Sequence, residues 1–244
     1  MVDLDAADNA GITVTNIPAY STDSVAQLVF SFILNIANQV ALHATEVKKD
    51  AWSDSDDFSF TLSPQVELSG KVLGIIGFGK IGQRVAEIAQ AFGMRVIFQN
   101  RSVKKEIPEG MMQVELDELL QQSDFVSLNC PLTGDNKEFM NKDKFGLMKK
   151  GAVLINTGRG PLIQEEDLAN SLNNGHLAGA GLDVLSTEPP SKANPLIKAQ
   201  NCYITPHIAW ATREARTRLM EILAANFEAY LSNKPQNVVN SPKL

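Results

Sequence analysis

One glycine-rich stretch constrains the fold of this chain more than any other feature. Residues 72–76 form an apolar run that predicts a buried parallel strand, and Gly77, Gly79 and Gly82 follow it in the spacing G-x-G-x-x-G. Apolar residues then recur at helical spacing from Ile81 onwards. This order predicts that the free N–H groups of a helix N-terminus bind the pyrophosphate of a dinucleotide. A glycine-rich turn without a ligand is the alternative.

The rest of the chain alternates between short apolar runs and segments with helical spacing. The runs predict strands at residues 95–99, 125–129, 152–156, 178–184 and 202–205, and the periodic segments predict helices at 116–122, 142–148, 164–173 and 212–231. Strands separated by helices predict an α/β fold with a doubly wound parallel sheet of the Rossmann type and right-handed crossovers.

The longest apolar stripes lie on helices near the two ends of the chain. One helix is expected from Thr22 to Val47, with a stripe wide enough to pack against the sheet and against a second copy of the chain. In the final helix, five side chains are expected to face inward: Leu219, Ile222, Leu223, Phe227 and Tyr230. Residues 12–15 are a candidate for a short strand.

Composition argues against several classes of function. A net charge of −6 over 244 residues, without a basic cluster, argues against a nucleic-acid-binding protein. The apolar run at 25–36 contains three polar side chains, so we expect a buried helix and not a membrane span. Cys130 and Cys202 lie far apart in a chain without a signal peptide, which predicts a reducing, cytoplasmic environment. Neither their spacing nor an acidic or histidine cluster predicts a metal site.

Three charged or titratable side chains follow the last three predicted strands, at the sheet edge where α/β folds bind ligands. They are Arg159, Glu188 and His207. Beside a nicotinamide they would form a site for hydride transfer. Arg159 would bind a carboxylate and the adjacent carbonyl oxygen, His207 would exchange a proton with that oxygen, and Glu188 would favour the imidazolium form of the histidine. We therefore predict that these three residues are catalytic.

Each of these side chains has a structural alternative. Arg159 could bind only a cofactor phosphate, Glu188 could cap a loop, and His207 could be a hydrogen-bonded core histidine. Asp183, at a strand end, either accepts a hydrogen bond from a nicotinamide amide or orients a neighbouring group. Cys130–Pro131, at the end of another strand, would border the cofactor.

Four stretches carry a resemblance to a known family. They are residues 68–82 around the glycine turn, 154–161 (LINTGRGP), 178–184 (AGAGLDV) and 205–211 (TPHIAWA). With them the chain resembles the D-isomer-specific 2-hydroxyacid dehydrogenases, essentially from end to end. Residues 14–26 and 207–211 are most similar to glycerate dehydrogenases and hydroxypyruvate reductases.

The resemblance implies an NAD(P)-dependent oxidoreductase that acts on small D-2-hydroxy acids, reducing hydroxypyruvate or glyoxylate. Arg159, Glu188 and His207 match the catalytic trio of the family. Cofactor contacts are predicted in the glycine turn, after the second strand and at later strand ends: Gly77, Gly79, Lys80, Ile81, Gly82, Asn100, Arg101, Ser102, Cys130, Pro131, Thr157, Asp183 and His207.

The residue after the second strand departs from the family pattern. An acidic side chain there would bind the adenosine ribose, but this chain has Asn100, followed by Arg101 and Ser102. Asn100 removes the repulsion of a 2′-phosphate, and Arg101 and Ser102 offer donors to it. The cofactor is thus NADP or NAD, with NADP favoured. Alternatively, Arg101 points into solvent and Asn100 bonds the ribose, which leaves NAD adequate.

Family members begin with a substrate lobe that precedes the point where this chain starts. We therefore expect residues 1–20 to be a remnant of a second, substrate domain, 21–210 the dinucleotide-binding domain, and 211–244 a helix and tail that return to the substrate domain. Such a chain should form a homodimer and bind cofactor, yet turn substrate over slowly. The alternative function is a catalytically idle NAD(P)-binding sensor or corepressor-like protein.

Overall fold

The computed structural model describes residues 2–241, which contain a parallel sheet of seven strands. The strands are β1 (Val72–Ile76), β2 (Arg95–Gln99), β3 (Met111–Gln113), β4 (Phe125–Leu128), β5 (Val153–Asn156), β6 (Gly179–Leu182) and β7 (Cys202–Ile204). Their order is β3-β2-β1-β4-β5-β6-β7, and all neighbours are parallel. The order reverses between β1 and β4, so the predicted doubly wound α/β fold is confirmed.

Eight α-helices lie among the described residues. They are α1 (Leu4–Asn9), α2 (Thr22–Asn38), α3 (Val40–Val47), α4 (Lys80–Ala91), α5 (Leu116–Gln122), α6 (Lys142–Leu147), α7 (Glu165–Asn173) and α8 (Arg213–Leu231). The predicted helices at 116–122, 142–148, 164–173 and 212–231 each agree with one of these within one residue at either end.

The sheet is covered on both faces, which explains why its strands are continuous apolar runs. Every residue of β1, β4, β5 and β6 is buried. Successive side chains of a strand point to opposite faces. Leu73 and Ile75 therefore pack in a core with α2 and α4, whereas Val72 and Ile76 pack in a second core with α5, α6 and α7.

The long helix predicted at residues 22–47 is broken at Gln39. This residue has a left-handed backbone, with φ +45°, and α2 and α3 meet at an angle of 53°. Seven apolar side chains of α2 are buried in the core: Val25, Ala26, Val29, Phe30, Phe32, Ile33 and Ala37. None of α3 is buried. Within residues 2–241, no single helix is long and apolar enough to cross a membrane, although α2 and α3 together meet that test by length and composition.

The chain divides into two compact units, Val25–Ala209 and Met1–Ser24 with Trp210–Leu244. In the second unit, side-chain amides join the two chain ends. Asn226, which is buried on α8, donates to the carbonyl oxygen of Asn16 (2.9 Å) and accepts from the side chain of Asn237 (2.8 Å). The domain limits predicted above at 1–20 and 211–244 include residues 1 and 242–244, which lie outside the described residues.

Two details of the second unit differ from expectation. Three of the side chains that were expected to face inward from α8 are exposed: Leu223 by 45%, Phe227 by 62% and Tyr230 by 53%. Helical spacing of apolar residues predicts a stripe, but not a surface that covers it. The strand candidate at residues 12–15 is also wrong, because only an isolated antiparallel bridge joins Thr15 to Val238.

At the amino edge of the sheet, one carboxylate joins two strands. Asp124 precedes β4 and accepts from the backbone N–H of Val72 (2.8 Å) and from Lys149 Nζ (2.9 Å). Burial alone would raise the pKa of Asp124, but this hydrogen bond and the lysine charge outweigh burial and hold it below the usual 3.8. Asp124 therefore stays ionised at neutral pH and ties β1 to the segment before β5.

Candidate active site

The glycine turn leaves space for a ligand at one glycine and is tightly packed at the other two. Gly77 has φ +96°, and a Cβ there would overlap the backbone of Cys130. A Cβ on Gly82 would overlap the carbonyl oxygen of Gly77, whereas one on Gly79 would meet no atom within 4 Å. Gly79 is also the N-cap of α4, and no described side chain caps that helix. An open position beside uncapped N–H groups fits a pyrophosphate.

The segment after β2 is hydrogen-bonded to this turn. Asn100 accepts from the backbone N–H of Phe78 through Oδ1 (3.2 Å) and donates from Nδ2 to the carbonyl oxygen of Ser102 (3.1 Å). Both ends of its amide therefore have partners inside the protein. Arg101 and Ser102 are exposed, and Arg101 forms no ion pair with any residue between 2 and 241.

Two buried polar atoms near the ends of β4 and β5 have no hydrogen-bond partner in the part of the chain that the structure describes. They are Asn129 Oδ1 and Thr157 Oγ1. The neighbouring Gly158 lies against Cys130, since a Cβ on it would be 3.4 Å from the Cys130 carbonyl oxygen. Thr157 and Cys130, both predicted cofactor contacts, thus lie at adjoining strand ends, with Cys130 against Gly77. A buried hydroxyl without a partner is costly, so it fits a position that a bound dinucleotide would satisfy.

Glu188 and His207 lie in direct contact. His207 Nδ1 is 2.7 Å from Glu188 Oε2, and the other carboxylate oxygen accepts from the backbone N–H of Leu185 (3.1 Å). Both side chains are about two-fifths exposed, so they remain accessible to a ligand. A cavity of about 450 Å³ lies against the pair, and its other polar lining comes from Asp183 and Thr205. Two residues that are 19 positions apart in sequence thus form one titratable pair beside a cavity.

The loop that carries His207 is held by Asp183, which is 1% exposed. Its Oδ1 accepts from Thr205 Oγ1 (2.6 Å) and from the backbone N–H of Ile208 (2.8 Å), and its Oδ2 accepts from that of Ala209 (2.8 Å). His207 has φ +54°, which is uncommon outside glycine, and its N–H donates to the backbone carbonyl oxygen of Asp183 (2.9 Å). The Asp183 side chain therefore orients a neighbouring loop, and its contact with a nicotinamide amide stays a prediction.

Arg159 lies on a loop that packs against the loop of Glu188. A Cβ on Gly160 would overlap the backbone of Leu185, so the two loops are in close contact. Arg159 is exposed, and its Nη1 donates to the carbonyl oxygen of Gly158 (2.7 Å). Among the described residues, no hydrogen bond or ion pair joins Arg159 to Glu188 or to His207. The structure thus places the three loops together but shows direct contact only for the glutamate and the histidine.

Comparison with known proteins identifies the family. The model of the D-isomer specific 2-hydroxyacid dehydrogenase NAD-binding domain matches residues 30–209, well over half of the chain. The chain belongs to the D-isomer-specific 2-hydroxyacid dehydrogenase family. The resemblance in the four stretches is therefore confirmed, and the site lies in an NAD(P)-binding domain of this family.

Relatives of the chain include a hydroxypyruvate reductase and a glyoxylate reductase. The chain is 46% identical to a hydroxypyruvate reductase of Blautia hydrogenotrophica over 244 residues, which are 98% of this chain and 75% of that protein. It is 39% identical to a glyoxylate reductase of Aeropyrum pernix, covering 98% of this chain and 72% of that one. The chain thus spans about three quarters of the length of these relatives.

Solved structures of the family include both dinucleotides. An acyclic imino acid reductase, Bsp5, in complex with NADPH and D-Arg superposes with a TM-score of 0.84 at 39% identity, covering 97% of this chain and 74% of that one. A D-lactate dehydrogenase of Aquifex aeolicus, complexed with NAD and lactic acid, has a TM-score of 0.87 at 32% identity, covering 99% and 77%.

Two residues that position the loops of Arg159 and Glu188 were not predicted from the sequence. Asn156, fully buried at the end of β5, donates to the Arg159 carbonyl oxygen (2.9 Å) and accepts from the Gly158 N–H (3.0 Å). Glu165, in the first turn of α7, accepts from the Ser186 N–H (2.7 Å) and from Asn194 Nδ2 (2.8 Å). These two bonds hold the loop of Glu188 at positions before and after the glutamate. Asn156 could have been found from the sequence, because it is a polar residue at the end of an apolar strand.

The two cysteines are free thiols, and burial is the main cause that raises the pKa of each. The pKa of Cys130 is raised above 9.0, and that of Cys202 is raised to about 12. Within residues 2–241, no group of three or more His, Cys, Asp or Glu side chains could hold a metal ion.

Proposed function

We propose that this protein reduces a small 2-keto acid, hydroxypyruvate or glyoxylate, and oxidises the corresponding D-2-hydroxy acid in the reverse direction. The observation that carries this proposal is the contact of 2.7 Å between His207 and Glu188 beside a cavity at the carboxyl edge of the sheet. The names of the two relatives above, a hydroxypyruvate reductase and a glyoxylate reductase, support the same substrate class.

The roles of the three catalytic side chains follow from their chemistry. A bound nicotinamide dinucleotide supplies or accepts the hydride. With His207 Nδ1 against the glutamate, Nε2 is the ring nitrogen that can exchange a proton with the substrate oxygen. Glu188 holds the ring orientation and stabilises the charged imidazolium. Arg159, with a forked and permanently charged side chain, binds the substrate carboxylate.

Substitution of His207 tests this assignment. His207→Gln should lower turnover of hydroxypyruvate by about 10²–10⁴-fold, because general acid–base catalysis typically contributes that much. Cofactor affinity, measured by fluorescence titration, should change little. His43→Gln is a matched control, since His43 makes two hydrogen bonds to the backbone away from these loops. Near-normal turnover in His207→Gln would remove the histidine from this role, and a wild-type protein that binds cofactor without turnover would favour the idle sensor.

We further propose that NADP is preferred over NAD. Asn100 places no negative charge at the end of β2, and the exposed Arg101 and Ser102 offer donors to a 2′-phosphate. The test is kcat/KM with each cofactor in the wild type, in Asn100→Asp and in Arg101→Ala. Asn100→Asp should shift the ratio towards NAD by about an order of magnitude, or about 1.4 kcal/mol. A wild type that favours NAD, with no effect of Arg101→Ala, would contradict the preference.

A homodimer is proposed from the exposed apolar surface that follows α2. Val40 is 68% exposed, Trp52 51% and Phe58 90%, and α3 buries none of its residues. Large apolar side chains exposed in one stretch mark an interaction surface. Sedimentation velocity at micromolar concentration should show a dimer that Phe58→Glu converts to a monomer, and a monomeric wild type would reject the proposal.

A further inference from the structure

The side-chain amide of Gln113 holds the loop that follows β2. Gln113 ends the edge strand β3. Its Oε1 accepts from the backbone N–H of Lys104 (2.9 Å), and its Nε2 donates to the carbonyl oxygens of Ser102 (3.1 Å) and Asn100 (3.4 Å). A single half-buried side chain therefore makes three hydrogen bonds to the backbone of residues 100–104.

This loop contains two cations, Arg101 and Lys104, that form no ion pair within the described residues. Gln113 binds the backbone of Lys104 itself and the carbonyl oxygens on either side of Arg101. At its other end the loop is tied to the glycine turn by the bond between Asn100 and Phe78. The loop is thus fixed both to the turn that fits the pyrophosphate and to the edge strand.

We propose that Gln113 is a positioning residue for cofactor selectivity, which holds residues 100–104 in the conformation that presents Arg101 and Lys104 to the 2′-phosphate of a bound adenosine. This inference rests on the NADP preference proposed above. The ordered backbone lowers the entropic cost of pairing two long cationic side chains with one phosphate. Without Gln113, three backbone groups would turn to water and the loop would sample other conformations.

The test compares two probes that differ only in the 2′-phosphate and need no substrate. Affinities for 2′-phospho-ADP-ribose and for ADP-ribose are measured by isothermal titration calorimetry in the wild type, in Gln113→Met and in Gln113→Glu. Gln113→Met should lower the preference for the phosphorylated probe about tenfold, with ADP-ribose affinity unchanged within about twofold. Gln113→Glu should lower it further, because the carboxylate loses both donor bonds and repels the phosphate.

The matched control is Gln122→Met, which removes a half-buried glutamine of α5 whose side chain bonds, among residues 2–241, only to Glu118. Its selectivity and melting temperature should equal those of the wild type. A purely structural role for Gln113 would lower both affinities in parallel with the melting temperature, and this result would overturn the inference. In the Arg101→Ala background, Gln113→Met should have a smaller effect on selectivity.

The outcomes separate this inference from the proposal on which it rests. A wild type that binds ADP-ribose at least as tightly as the phosphorylated probe rejects the NADP preference, and the role of Gln113 with it. A wild type that prefers the phosphorylated probe, with an unchanged ratio in Gln113→Met, leaves the NADP preference intact and overturns the positioning role alone.

Discussion

Replacement of Asp183 by asparagine should loosen the loop of His207 without unfolding the protein. The substitution keeps the size of the side chain, but it replaces one acceptor oxygen by a donor. Three donors converge on the buried carboxylate: Thr205 Oγ1, the Ile208 N–H and the Ala209 N–H. An asparagine oriented to accept from the first two would place its NH₂ group against the Ala209 N–H, with no acceptor between them.

The size of the effect follows from these three bonds. Loss of a hydrogen bond to a charged group costs about 1.5–3 kcal/mol, and a buried donor left without a partner costs about 1–3 kcal/mol. We expect Asp183→Asn to lower the free energy of unfolding by about 3 kcal/mol, which a domain of ordinary stability survives. Since His207 has a left-handed backbone that this carboxylate stabilises, its ring should also shift, and turnover should fall about 10²-fold.

The assay pairs urea denaturation, followed by circular dichroism, with turnover and cofactor titration. Asp167→Asn is the matched control, because within the described part of the chain the Asp167 carboxylate accepts from a single backbone N–H, that of Lys142 (2.9 Å). Its loss of stability should stay near or below about 1 kcal/mol. Thr205→Val removes a single bond to Asp183 and should give an intermediate result. An Asp183→Asn protein with wild-type stability and turnover would refute the idea that this carboxylate holds the loop.

Three further predictions concern the turn, the amino edge of the sheet and the thiols. Gly82→Ala should abolish cofactor binding in a titration, since its Cβ would overlap a backbone carbonyl oxygen of the turn, whereas Gly79→Ala should still fold. Because the folded pKa of Asp124 lies below 3.8, its stabilising effect is complete above that value and is lost as the pH falls through the folded pKa. Asp124→Asn should therefore be less stable than wild type at pH 7, with a difference that shrinks below pH 3.8 in thermal denaturation. Alkylation at pH 8, followed by mass spectrometry, should be slow at Cys202, whose pKa is about 12, and saturating cofactor should protect Cys130.

The inner strands of the sheet could be predicted from the sequence because burial on both faces makes them apolar runs, and residues 152–156 agree with β5 within one residue at either end. Residues 202–205 agree equally well with the edge strand β7, although its residues are only partly buried. The edge strand β3 could not be predicted, since its short run of two methionines and a glutamine has no period. The position of β3 depends on its pairing with β2. This pairing joins residues that are distant in sequence, so the local sequence pattern does not predict it.

The break at Gln39 has a similar cause. Apolar residues recur at helical spacing across it, so the pattern predicts one helix from 22 to 47, whereas the backbone turns left-handed at a residue that is neither glycine nor proline. The exposed apolar face of α8 shows the same limit in another form. Periodicity predicts which side chains share a face, but it does not predict whether another part of the protein covers that face.

The candidate site shows which part of function local sequence can predict. Parallel strands present their carboxyl ends at one edge, so the loops of Arg159, Glu188 and His207 could be assigned to one site from strand order alone. The contact between Glu188 and His207 agrees with that expectation, while the roles of all three stay predictions until they are tested. Strand order does not predict which side chains hold these loops in place. Asp183 and Glu165 bond to residues 21 to 29 positions away, and such pairs depend on packing, so only the folded structure reveals that they hold the loops of His207 and Glu188.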